Sequence, residues 1–237
     1  MQFAEKFALK YYCFLFFHFM IFYFIHYLHN SHLAMSFVGV NLLIGGFFFD
    51  DIGNTTKSKE YNRNIFHVGP LIVSCIMSFV MYWVFWVNYE EIVKGSIFLW
   101  LMTIMSLSQS VVASIDASHE LIHRNETWCR VIGVTNLWLH QFTAYPIEHL
   151  YLHHKKVGSA EDPITSPKNQ TVYSYYVNAI LSAYKFNYNY NKTYFAICVI
   201  GTLTYNLFFI GLGLSEQASL GKILMFVLVS YVTVFWM

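Results

Sequence analysis

Six apolar stretches decide what this chain can fold into: residues 11–28, 33–49, 66–88, 95–115, 194–214 and 222 to Met237. A hydrocarbon core about 30 Å thick is crossed by roughly 20 apolar residues in a helix. A helix suits it because every backbone polar group is satisfied within the segment. The charge content agrees, at 11% of residues against about 25% in an average soluble domain. The expectation is an all-α integral membrane protein of six transmembrane helices, one domain over residues 1–237. The last stretch stops inside "VLVSYVTVFWM" with no polar flank, so the domain is expected to be incomplete at its C-terminus. The first stretch is too long and bulky for a signal peptide. Glu5 also sits in its leading segment, and no small-x-small cleavage site follows it.

Charge placement gives the orientation. Threading six spans puts the N-terminus, residues 50–65 and residues 116–193 on one side. That side carries Lys6, Lys10, Lys57, Lys59, Arg63, Arg124, Arg130, Lys155, Lys156, Lys168, Lys185 and Lys192, and the other side only Lys94 and Lys222. Short loops rich in Lys and Arg stay cytoplasmic, so residues 116–193 are expected to face the cytoplasm. Thinly spread cations and a net charge of +1 give no basic patch for nucleic acid. Cys13, Cys75, Cys129 and Cys198 lie far apart, and three sit in apolar runs, as small hydrophobes do.

The histidines gather between the fourth and fifth spans. His18, His26, His29, His32 and His67 lie in or beside spans without a shared spacing. Five others form two boxes, "HELIH" with His119 and His123, and "HLYLHH" with His149, His153 and His154. Residues four apart share one face of a helix, so His119 with His123, and His149 with His153, can each present two imidazoles to one ion. His154 is rotated well round that helix, and either reaches a second ion or closes the shell of the first. His140 lies between the boxes and reads as a buried hydrogen-bonding residue rather than a sixth ligand. A merely solvated histidine face has no reason to keep helical spacing.

Spacing alone does not name the metal, because imidazole suits zinc, copper, iron and nickel alike. A zinc-protease reading uses His119 and His123 as ligands, Glu120 as general base and Glu148 as a third ligand. It leaves His149, His153 and His154 without a role. A soluble di-iron carboxylate site needs two Glu-x-x-His motifs, and only Glu120 to His123 fits.

"SHELIHR" at 118–124, "EHLYLHH" at 148–154 and "EDPITSPKNQTVYSYYV" at 161–177 resemble the membrane-bound alkane 1-monooxygenase (AlkB-type) family, within the wider fatty acid desaturase-like superfamily. The desaturases generally carry HxxHH where this chain has HxxxHH. The resemblance implies a non-haem di-iron centre that activates dioxygen, hydroxylates the terminal methyl of an alkane or alkyl chain, and receives electrons from a rubredoxin. It assigns His119, His123, His149, His153 and His154 as iron ligands. Glu120 and Glu148 match the acidic positions of the boxes, where they would accept ring N–H bonds, a role open also to Asp116. Ser106, Ser108, Ser110, Ala113 and Ser114 would let helices approach closely. Trp83, Trp86 and Trp100 face lipid, a neighbouring helix or a substrate channel.

The family's NYxEHYG-like segment and final HxxHH-type box have no counterpart here. Five imidazoles fall short of two iron shells, so this chain by itself is expected to hold at most one iron, weakly, and not to oxidise alkanes. A second polypeptide supplying further histidines is one expected remedy. A desaturase or hydroxylase acting on another apolar chain, and a non-catalytic fragment or subunit, are the alternatives.

Overall fold

A computed structural model describes residues 65–216, 219–224 and 226, and every element in them is helical. The spans expected at 11–28 and 33–49, most of that at 222–237, and His18, His26, His29 and His32 lie outside the described residues. The chain divides into two compact units, 1–117 and 118–237.

In the first unit the stretch expected at 66–88 forms α1, Ile65–Val87, followed by the short α2, Tyr89–Lys94. Met81, Phe85 and Ile92 are fully buried, and Phe85 meets Tyr89 edge to face with ring centroids 5.9 Å apart. Trp86 is buried, Trp100 half-buried and Trp83 exposed. Helix α3, Ile97–Ile122, begins in this unit and ends in the second. It runs past the expected end at 115 and takes the first histidine of the first box into its last turn. Its serines are accommodated by folding back on the helix: Ser108, Ser110 and Ser114 donate to the carbonyls of Ile104, Leu107 and Val111, each at 2.9 Å. A hydroxyl satisfied in this way can be buried.

The second unit holds α4, Thr127–Leu139; α5, Tyr145–Glu148; a π turn, His149–His153; α6, His154–Lys156; α7, Val172–Tyr190; and α8, Lys192–Ser215. Helices α7 and α8 start at caps readable in the sequence: Thr171 Oγ1 accepts from Ser174 N at 3.3 Å, and Asn191 Oδ1 accepts from Tyr194 N at 3.0 Å. Among the described residues α8 is the one helix long and apolar enough to cross a membrane, with a mean hydropathy of 1.9 over its most apolar window. Leu71–Val87 is a shorter apolar helical stretch. Helix α7 packs Ala183 and Asn187 inward and leaves Tyr173, Val177, Leu181 and Tyr188 exposed along one stripe.

Two close approaches fix this unit. Gly133 of α4 rests against the end of α3, where a Cβ would stand 2.9 Å from both Ser118 O and Leu121 Cβ. Asn136 Nδ2 donates to Ser118 Oγ at 2.8 Å beside it. The segment between α4 and α5 is pinned by Thr143 and Ala144. Asn187 Nδ2 and Cys198 Sγ donate to the carbonyls of Ala144 and Thr143 at 2.7 and 3.0 Å, and Tyr184 and Thr202 share the Thr143 hydroxyl.

Candidate metal centre

The packing of α4 on the end of α3 sets where the first box points. His119 occupies the last turn of α3 and His123 follows directly after it. The second box occupies the π turn and the start of α6. A π turn closes hydrogen bonds from i to i+5 rather than i+4, so His149 is brought level with His154 and not with His153. Of the two positions left open for His154, the one beside His149 is the one adopted, while His153 stacks on the His149 ring.

The result is a cluster of four Nε2 atoms. His149 Nε2 lies 2.8 Å from that of His119, 3.2 Å from that of His123 and 3.0 Å from that of His154, and His119 and His123 are 3.2 Å apart. All four ligand atoms fall within 4.8 Å of one another. Hydrogen bonding does not account for this arrangement. An imidazole nitrogen carries either one hydrogen or one lone pair, so a single proton links two nitrogens, whereas His149 Nε2 faces three. A shared cation would account for the contacts of 2.8–3.2 Å, since ligands about 2.0–2.1 Å from an ion stand roughly 3.0–3.4 Å apart along the edges of its shell. The rings are also poised for this. Burial, with the neighbouring His119, His154, His153 and His123, holds His149 down to about 3. Burial, with His119 and His154, lowers His123 against the opposing charge of Glu120. Neutral imidazoles keep the lone pairs that a metal requires.

His153 stands apart. Its Nδ1 donates to Asp162 Oδ2 at 2.9 Å, while its ring stacks on His149 with centroids 5.1 Å apart. A carboxylate bound at one ring nitrogen is the usual partner of a histidine that ligates through the other. Asp162 is itself held by Thr165 Oγ1 at 2.5 Å and by the backbone N–H of Ile164 at 3.1 Å. Burial pushes its carboxyl up, but these hydrogen bonds and the one from His153 outweigh burial and leave it below its ordinary value. At His153 this ring-accepting role is filled by Asp162, a residue of the "EDP" stretch. Glu120 and Asp116 are exposed. Glu148 is fully buried, and its carboxyl oxygens have no hydrogen-bond partner among the described residues. Burial, with the charge of Asp162, pushes Glu148 up to about 7.

His140 caps the end of α4, is 1% exposed and is not among the clustered ligands. Tyr145 stacks on His149, rings 4.7 Å apart and inclined by 20°, and fixes the plane of that imidazole. The zinc-protease arrangement had no use for His149 or His154, which here share the cluster with His119 and His123.

Residues 95–237 match the sequence family described as fatty acid desaturase. Alkane 1-monooxygenase 1 of Alcanivorax borkumensis is 28% identical over 119 residues, covering 50% of this chain and 26% of that protein. The chain therefore matches about a quarter of the length of that relative.

Proposed function

Because the chain belongs to the fatty acid desaturase family, we propose that it is the iron-binding membrane module of an oxygenase that hydroxylates the end of an alkane or alkyl chain. The observation that carries this reading is the convergence of the Nε2 atoms of His119, His123, His149 and His154. In the proposal these four hold one iron, and His153, oriented by Asp162, offers its remaining ring nitrogen to a second. Iron bound there would supply dioxygen activation, with electrons from a rubredoxin-type donor. The likeness to an alkane 1-monooxygenase supports the apolar substrate, and the all-imidazole donor set is compatible with iron.

The chain's own residues do the rest. The Gly133 contact holds the first box against α4, Tyr145 orients His149, and Asp162 fixes one tautomer of His153. The apolar helix α8 and the exposed apolar stripe of α7 suit a multi-pass protein, in which the histidine-bearing segment faces the cytoplasm and an alkyl chain arrives from the lipid. The family match also supports desaturation as a second outcome, since placement of the chain decides between inserting oxygen and removing two hydrogens. A third is a non-catalytic subunit whose remaining histidines come from another polypeptide.

The test is purification in mild detergent, iron quantification by mass spectrometry and product analysis with a rubredoxin donor. We expect at most one iron per 237-residue chain and no turnover by it alone. With further histidines supplied in trans we expect two irons and a terminal alcohol. A new double bond would favour the desaturase, and a chain that takes up zinc but never iron would sink the proposal.

A further inference from the structure

Beside the histidine cluster lies a cavity of about 220 Å³. Tyr145 is its common wall with His149. Ile164, Ala179, Ile180 and Ala183 make its lining largely apolar, yet Gln141 and Glu148 also open onto it. Both amide atoms of Gln141 and both carboxyl oxygens of Glu148 are buried without a hydrogen-bond partner among the described residues. An unsatisfied buried polar group costs on the order of 1–3 kcal/mol, and two at one cavity call for a common cause.

The backbone supplies an independent observation. Gln141 has φ 65°, in the left-handed region. Its N–H bonds to Trp138 O at 3.0 Å and that of Phe142 to Leu137 O at 2.8 Å, which is the Schellman ending of α4. Glycine is the residue of choice there, and any other pays a steric penalty. A glutamine at this position keeps a strained backbone and an unsatisfied amide together, so its side chain has a use that the fold alone does not provide. Strain of this kind gathers at ligand clamps.

We propose that this cavity binds an alkyl chain through a neutral, hydrogen-bonding head such as a primary alcohol, with the Gln141 amide and the Glu148 carboxyl as its partners. At about 30 Å³ per water-sized group, the space holds roughly seven non-hydrogen atoms, enough for a hydroxyl and the first methylenes. Water alone fits poorly, because most of the wall offers it no partner. A plain alkane would leave both polar side chains unsatisfied. A fatty acid would bring a carboxylate into an apolar wall on which none of the lining residues is cationic. This inference goes beyond the oxygenase reading, and the binding needs no metal.

The probes are 1-octanol, octane and octanoate, titrated calorimetrically into the full chain in one detergent, with and without iron. We expect octanol to bind roughly tenfold more tightly than octane, the worth of one or two neutral hydrogen bonds, with octanoate weakest. Gln141→Gly suits the left-handed backbone, so it should fold at least as well and lose most of the octanol preference. Ala179→Phe fills the cavity and should abolish octanol binding. Equal binding of octane and octanol, the same ratio in Gln141→Gly, tighter binding of octanoate, or octanol binding untouched by Ala179→Phe would each overturn the proposal. Iron content is measured separately, so loss of metal with octanol binding intact would count against the metal centre and not against the cavity.

Discussion

His154 Nε2 lies 3.0 Å from His149 Nε2 although five residues separate them, because the intervening backbone closes as a π turn. This pairing divides the second box into unequal members. His149→Ala and His154→Ala should each abolish the bound metal, as His119→Ala should. His153→Ala should leave the four-imidazole set intact and retain one ion. Metal-to-protein ratios by mass spectrometry give the answer, and equal losses at His153 and His154 would show that the two act on the same ion.

Asp162 receives three hydrogen bonds, from His153, Thr165 and Ile164 N, with its side chain fully buried. Replacing it by alanine removes the acceptor of all three donors and frees the ring of His153. Asp162→Ala should lower stability by about 1.5–3 kcal/mol in thermal unfolding. Thr165→Val, which removes one donor to Asp162 and the exposed hydrogen bond from Gly158 N, should cost less. Equal costs would mean that the hydroxyl, and not the histidine, is the important partner.

The three apolar helices and the two boxes were legible in the sequence because both rest on local rules, whereas the helices Thr127–Leu139 and Val172–Tyr190 were not read from it. Apolar runs at 66–88, 95–115 and 194–214 anticipated α1, α3 and α8 to within a few residues at most ends. The exception is the end of α3, which continues through Asp116 to Ile122 because polar residues at a helix end do not stop it. The choice between His153 and His154 was not legible, since both are available to His149 at turn spacing. What separates them is the π turn, which brings His154 beside His149, together with the Asp162 contact that holds His153, nine residues along the chain, and neither leaves a trace in periodicity. The position of Gln141 was hidden for the same reason: its left-handed conformation follows from how α4 ends, where the sequence shows no glycine.

Gly133 has no room for a side chain, since a Cβ there would meet the Ser118 carbonyl and Leu121 Cβ at 2.9 Å and Ile122 Cγ2 at 3.1 Å. Those three residues flank His119 and precede His123. Gly133→Ala should therefore cost about 1–3 kcal/mol by overpacking and also move the first box. The expected sign is a lower metal affinity together with a lower melting temperature. Glycine improves nothing else in a helix interior, so a Gly133→Ala chain with raised stability and unchanged metal affinity would show that the contact is slack.

His140 is held neutral by burial, which lowers it from its ordinary value near 6.5 to about 3. Below pH 6.5 the unfolded chain takes up a proton at this ring and the folded chain does not, so the unfolded state binds more protons and stability falls as the pH is lowered. The contribution is fully present above pH 6.5 and is lost through the window down to about 3, where the folded ring also protonates. Its slope is about 1.4 kcal/mol per pH unit within the window. His149 titrates in the same range, so the informative quantity is the difference between the metal-free chain and its His140→Leu variant. That variant should be less sensitive to acid between pH 6 and 4, with curves converging above pH 7 apart from a constant offset. Melting temperatures measured across this range in one detergent decide the matter: parallel curves would mean that His140 is already charged in the folded chain.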